Sequence, residues 1–134
     1  MQHRLRAIAL SASTVVALLA PFGASAQPAK PPTPKCFYTR DWNGWKASPD
    51  GKSIYIRVGV RDLYRLDFSH SCVAARGIGV HLVTRVRGSS LICSPIDLDL
   101  KVSHGRGFAT PCIVSGITPL SAEDAAALPK NLRP

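Results

Sequence analysis

From residue 54 to residue 68 the chain alternates apolar and polar positions with a period of two. Ile54, Ile56, Val58 and Val60 fall on one side, with Tyr55, Arg57 and Gly59 on the other. Arg61-Asp62 reads as a turn, after which Tyr64, Leu66 and Phe68 alternate with Leu63, Arg65 and Asp67. Successive side chains of a strand point to opposite faces, so the pattern predicts two half-buried strands joined as a hairpin. Val80 to Val86 reads as a third strand, closed by the turn Arg87-Gly88-Ser89-Ser90, and Leu91 to Cys93 as a short one. Ile96, Leu98, Leu100 and Val102 alternate with Asp97, Asp99 and Lys101, and Pro111 to Ile117 forms the last strand. Ser48-Pro49-Asp50-Gly51 is a turn signal, Cys72 to Gly79 is irregular, and His104-Gly105-Arg106-Gly107 is a loop.

The pattern changes at Ser121. Its side chain can cap the free N–H groups of a helix start, Glu123 and Asp124 complement the positive end of the helix dipole, and Pro129 ends the helix. Leu120 and Leu128 would pack this helix over a sheet or a barrel mouth. Five or six short strands, with neither a βαβ rhythm nor an internal repeat, predict a mainly β fold. The expectation is a small antiparallel sheet or partly open β-barrel with one short C-terminal helix and two disulfides.

The first residues do not fit this scheme. His3, Arg4 and Arg6 precede an apolar, small-residue run from Ile8 to Leu19, and Ala24-Ser25-Ala26 supplies a small-residue cleavage site. That layout predicts a secretory signal peptide over residues 1–26, too short in its apolar part to span a bilayer comfortably. Residues 27–35, QPAKPPTPK, hold four prolines and two lysines and read as an extended tether. A single β-rich domain then occupies residues 36–134. No second long apolar run follows, so the mature chain is expected to lack a transmembrane segment and to be periplasmic or secreted.

Export gives the cysteines a meaning. Cys36, Cys72, Cys93 and Cys112 all lie in the mature part, and an even count in an exported chain reads as two disulfides. Three pairings are possible; Cys36–Cys72 with Cys93–Cys112 is favoured because each closes a modest local loop. Metal binding is the rival, but the chain has neither a CxxC pair nor a CxxCH haem signature, and His70-Ser71-Cys72 alone is weak. No metal or cofactor is expected.

From Cys36 to about Leu128 the chain resembles an uncharacterised family of small exported bacterial proteins, a domain-of-unknown-function family. The resemblance is carried by Cys36 with Trp45 shortly after, Tyr64-Arg65-Leu66-Asp67-Phe68 before Cys72, and Leu91-Ile92-Cys93 with Asp97. It ends on the run Cys112-Ile113-Val114-Ser115-Gly116-Ile117-Thr118-Pro119-Leu120-Ser121. It implies an exported β-rich domain with paired cysteines and implies no activity.

Charge is the strongest functional signal. With Arg4 and Arg6 set aside, 15 Lys and Arg remain against 8 Asp and Glu, a net of +7. On the strand reading Arg57, Arg65, Arg85 and Arg87 fall at or near polar faces, and on neighbouring strands they would form an anion-binding patch that salt screens. The partners of such a patch would be anionic lipid, glycan or an acidic protein. Nucleic acid is less suited to that compartment, and dispersed Arg residues that merely keep the chain soluble are the plainer alternative.

Catalytic signals are thinner. Asp97 and Asp99 would share a strand face and could act as an acid–base pair, although Lys101 continues that face and largely neutralises it. Ser69, His70, Ser71 and His104 include a nucleophile and a base, but no G-x-S-x-G elbow frames them. In CFYTRDWNGWKA, residues 36–47, Asn43-Gly44 reads as a tight turn that sets Trp45 on the core and leaves Trp42 half exposed. Arg40 and Trp42 are then possible contacts. Three classes follow: a non-enzymatic binding or accessory domain for an anionic partner, which is favoured; a small periplasmic enzyme using Asp97/Asp99 or a histidine; and a protein inhibitor contacting through the Trp42 loop.

Overall fold

In the computed structural model the described residues are 35–105 and 107–134. The expected signal peptide (1–26) and all but the last residue of the proline-rich tether (27–35) lie outside them. The strands are β1 (Phe37–Tyr38), β2 (Trp42–Ala47), β3 (Ser53–Val58), β4 (Asp62–Phe68), β5 (His81–Val86), β6 (Leu91–Ile92), β7 (Leu98–Ser103), β8 (Ala109–Pro111) and β9 (Val114–Pro119), followed by one α-helix, α1 (Ala122–Ala127). They form three antiparallel sheets: a four-stranded sheet in the order β2-β3-β4-β9, a three-stranded sheet β5-β7-β8, and the two-stranded ribbon β1-β6. The fold is mainly β as expected, and the sheets do not close into a barrel.

The β3–β4 hairpin is built as its alternation dictates, except that β3 ends at Val58 and Val60 lies exposed in the turn. Ile54, Ile56, Val58, Tyr64, Leu66 and Phe68 are buried, while Tyr55, Arg57, Arg65 and Asp67 point away from the core. Gly59, in the left-handed region at φ 58°, turns the chain between the two strands. Leu98, Leu100 and Val102 of β7, Phe37 of β1 and Ile92 of β6 join the same apolar cluster. The two larger sheets therefore face each other across one core, and their outer faces lie on opposite sides of it.

Three local expectations change and one holds. Trp42–Ala47 is a strand rather than a tight turn, because the chain bulges at Asn43 and continues along β3. Asp97 does not sit on the strand with Asp99; it closes a 3-10 turn, Pro95–Asp97, which leaves Ile96 exposed instead of facing the core. The last expected strand is two strands in different sheets, β8 and β9, separated by Cys112 and Ile113. Helix α1 forms with the predicted cap, Ser121 accepting from the Asp124 N–H at 3.0 Å, and Leu120 is buried.

The cysteines pair as Cys36–Cys93 and Cys72–Cys112, not as the local loops suggested. The ribbon explains the first pair. Phe37 lies opposite Ile92, so the next position of the same register sets Cys36 opposite Cys93, with Cα atoms 4.3 Å apart. That is the close approach of a cross-strand pair that exchanges no backbone hydrogen bonds. Cys72 follows β4, and the Ser69 N–H donates to the Ile113 carbonyl at 3.0 Å, which carries Cys72 to Cys112 with a Cα separation of 5.6 Å. The bridges link residues 57 and 40 positions apart, because antiparallel partners need not be neighbours in sequence. Each is worth about 4 kcal/mol in the chain-entropy treatment, whose mechanism is contested. A non-reducing peptide map should recover these two linkages and neither Cys36–Cys72 nor Cys93–Cys112. Replacing Cys72 and Cys112 together by Ala should lower the melting temperature markedly while leaving the Cys36–Cys93 peptide intact.

Candidate functional site

The bulge at Asn43 decides where the tryptophans go. Residues three apart on a regular strand face opposite ways. Here Trp42 lies opposite Val58 and Trp45 opposite Ile56, with the register slipping between them. Val58 and Ile56 are both buried, so both indoles sit on the core side of β2. The Asn43 side-chain amide donates to the Gly59 carbonyl at 2.7 Å and the Gly59 N–H donates to the Asp41 carbonyl at 2.7 Å, which clasps the bulge to the hairpin turn. Phe37 meets Trp42 edge to face at 6.3 Å. The Trp42 indole N–H donates to the Gly44 carbonyl at 3.1 Å, so Trp42 is a half-buried strand residue and not a loop tip. Arg40 is exposed beside it, 4.3 Å over the Tyr38 ring and 3.9 Å from the Asp41 carboxylate.

β2 and β5 are the edges of their sheets on one side of the core and are not hydrogen-bonded to each other. A groove runs between them. One half, about 330 Å³, is lined by Thr39, Trp42, Gly44 and Trp45 on one side and by His81, Leu82 and Thr84 on the other. The other half, about 460 Å³, continues past Trp45 along Lys46, Ala47, Ser48 and Pro49, facing Ala75, Arg76, Gly77 and Val80. No carboxylate lines either half. Lys46 and Arg76 are exposed and form no ion pair among the described residues. Trp42 and Trp45 thus line the groove on its β2 side, and Lys46 and Arg76 bring positive charge to the half beyond Trp45.

At its far end the groove meets the turn between β2 and β3. The buried Ser48 hydroxyl donates to the Asp50 carboxylate at 2.6 Å and accepts from the Ser53 N–H at 3.0 Å. The Ser48 hydroxyl, and then the Lys52 N–H, hold the Asp50 carboxyl below the ordinary carboxylate value. A depressed folded-state pKa stabilises the fold above the unfolded pKa and stops doing so as pH falls through the folded value. Ser48→Ala should therefore move the Asp50 titration midpoint upward toward that of a free carboxylate, which NMR titration of its side-chain carbonyl carbon would show.

The hydrogen-bond phase of the edges completes the site. The Ser48 N–H donates to the Ser53 carbonyl at 2.9 Å, and bonded and non-bonded positions alternate in an antiparallel pair. Lys46 therefore turns its backbone groups to β3, while those of Trp45 and Ala47 face the open edge. On β5 the Arg87 N–H donates to the Asp97 carbonyl at 3.0 Å, so Val83 and Arg85 bond to β7 and the backbone groups of Leu82 and Thr84 face away from it. In amide hydrogen exchange followed by NMR, Trp45, Ala47, Leu82 and Thr84 should exchange rapidly while Lys46, Val83 and Arg85 stay protected.

The four arginines singled out from the sequence do not meet. Arg57 and Arg65 lie on the outer face of the four-stranded sheet, Arg57 opposite Leu63 and Arg65 opposite Tyr55. The Arg65 guanidinium is held by Asp67 at 3.1 Å. Arg85 lies on the outer side of the other sheet, opposite Asp99, and Arg87 just beyond β5. The core stands between these pairs. The acid–base arrangement does not assemble either. The Asp97 carboxylate accepts from the Cys93 and Ser94 N–H groups at 3.0 and 2.8 Å, and Asp99 lies 4.0 Å from Lys101. The His70 ring lies 3.2 Å from the Ser69 hydroxyl, in the open, and His104 is exposed. No group of three or more His, Cys, Asp or Glu among the described residues could hold a metal ion. Sequence reasoning missed the groove; the sole local hint was the pair of tryptophans, read as flanking a turn.

Comparison with protein-family models, with curated proteins and with solved structures gives no match.

Proposed function

We propose that this protein is a non-enzymatic binding domain that holds an anionic partner in the groove between β2 and β5. The observation that carries the reading is the lining of that groove: two indoles on one wall, Lys46 and Arg76 without acidic partners among the described residues, and no carboxylate among the described residues that line it. Aromatic faces supply contact area at low conformational cost, and the cations supply steering and charge-assisted hydrogen bonds to an anion. The excess of basic over acidic residues across the mature chain draws such a partner toward the surface from a distance.

The same reading makes the protein an exported one, acting in the periplasm or outside the cell. The signal-like residues 1–26 and the two cysteine pairs support it. No helix among the described residues is long and apolar enough to cross a membrane. In that compartment the anionic candidates are lipid head groups, acidic glycans and acidic proteins.

Titrating the oxidised protein with oligogalacturonate, anionic vesicles and an acidic peptide, while following tryptophan fluorescence, tests the reading. At least one should bind at low salt and weaken at high salt. Lys46→Ala with Arg76→Ala should cost about tenfold in affinity, as two modest ionic contacts would. Arg57→Ala with Arg65→Ala, on the outer sheet face, should change little. Absence of binding at low salt, or binding insensitive to Lys46 and Arg76 but lost with the outer-face arginines, overturns the groove as the site.

A further inference from the structure

The groove has a feature that a generic anion site does not need: in the half lined by Trp45, Leu82 and Thr84, both walls are strand edges whose backbone groups there bond neither β3 nor β7. On β2 these belong to Trp45 and Ala47, and on β5 to Leu82 and Thr84. Trp45, Leu82 and Thr84 line one half of the groove and Ala47 the other. Backbone N–H and C=O groups in a recess are satisfied by a partner or by water. On each edge such groups repeat every second residue, as do those along the edges of an extended chain.

Resting on the groove as the binding surface, we infer that its ligand is an extended peptide segment of a partner protein, which enters between β2 and β5 as an added strand and joins the two sheets. The chemistry of the segment follows from the two sides of the gap. Toward the core it meets Trp42, Trp45, Leu82 and Val80, so its inward side chains are apolar or small. Away from the core it is flanked by Lys46 of β2 and by Arg85 of β5, whose register partners, Tyr55 and Asp99, lie on the outer face. Its outward side chains are therefore acidic. A strand that alternates apolar and acidic residues satisfies both sides at once, with main-chain bonds giving affinity and alternate side chains giving selectivity. An acidic glycan would meet the cations but leave the facing amides unpaired.

The test uses the oxidised protein with three probes. One is a synthetic nine-residue peptide, acetylated and amidated, alternating Glu with Val or Thr; the second is the same peptide N-methylated at alternate residues; the third is oligogalacturonate. The peptide should bind and slow the exchange of the Trp45, Ala47, Leu82 and Thr84 amides together. N-methylation should weaken it at least about tenfold, since each methyl removes a donor and blocks an edge. Ala47→Pro deletes an edge-facing donor without breaking the β2–β3 ladder, and edge strands tolerate proline there. That variant should lose peptide affinity by a similar factor while keeping its melting temperature; if it fails to fold, the N-methylated peptide carries the comparison. Binding of oligogalacturonate without peptide protection overturns strand addition and leaves the anionic groove standing. Failure of all three probes at low salt overturns both. Protection of the same amides that rises with protein concentration alone makes a second copy the occupant and also overturns the inference.

Discussion

The apolar face of the β3–β4 hairpin is the surface on which the rest of the molecule is mounted. Six of its side chains, from Ile54 to Phe68, are buried, and each removes from water an area worth about 1.5–3 kcal/mol. β2 and β9 extend that face on either side, and β7 covers it from across the core. Because the β3–β4 pair is fixed so firmly, irregularity is displaced to the margins: a bulge in β2, a slip between β4 and β9, and a ribbon and 3-10 turns that fill the ends. The groove is a product of that displacement, since the edge strand on each side of it runs without a second partner.

Legibility in the sequence followed the same division. β3 and β4 could be read directly because burial of one face imposes a strict period of two. The capped helix was equally plain, because Ser121, Glu123 and Asp124 act on groups within one turn of themselves. β2 was not legible: Asn43-Gly44 carries the chemistry of a hairpin turn, and the bulge breaks the alternation on which strand recognition depends. Asp97 was misplaced for a related reason. It shares the alternation of β7 in sequence, yet its carboxylate accepts from the Cys93 and Ser94 N–H groups within a 3-10 turn, and β7 begins only at Leu98.

Relations between distant segments were the least accessible. The cysteine pairing depends on β1 meeting β6 across most of the domain, and loop length is a poor guide to which strands pair. The dispersal of Arg57 and Arg65 from Arg85 and Arg87 depends on which sheet each strand joins, a property of topology and not of local pattern. The groove itself combines Trp42 and Trp45 with His81 and Thr84, about forty residues later in the chain, on strands that never bond.

Each end of the groove stands next to one of the two bridges. Thr39, at the Trp42 end, is three residues from Cys36, and Ala75, at the Pro49 end, is three residues from Cys72. The bridges thus lie close in sequence to the two ends of a slot whose middle no hydrogen bond spans among the described residues. Reduction would remove a covalent tie near each end wall and none within the β3–β4 hairpin. The slot is in this sense a property of the oxidised molecule: its shape belongs to the compartment in which the cysteines are joined as much as to the sequence that lines it.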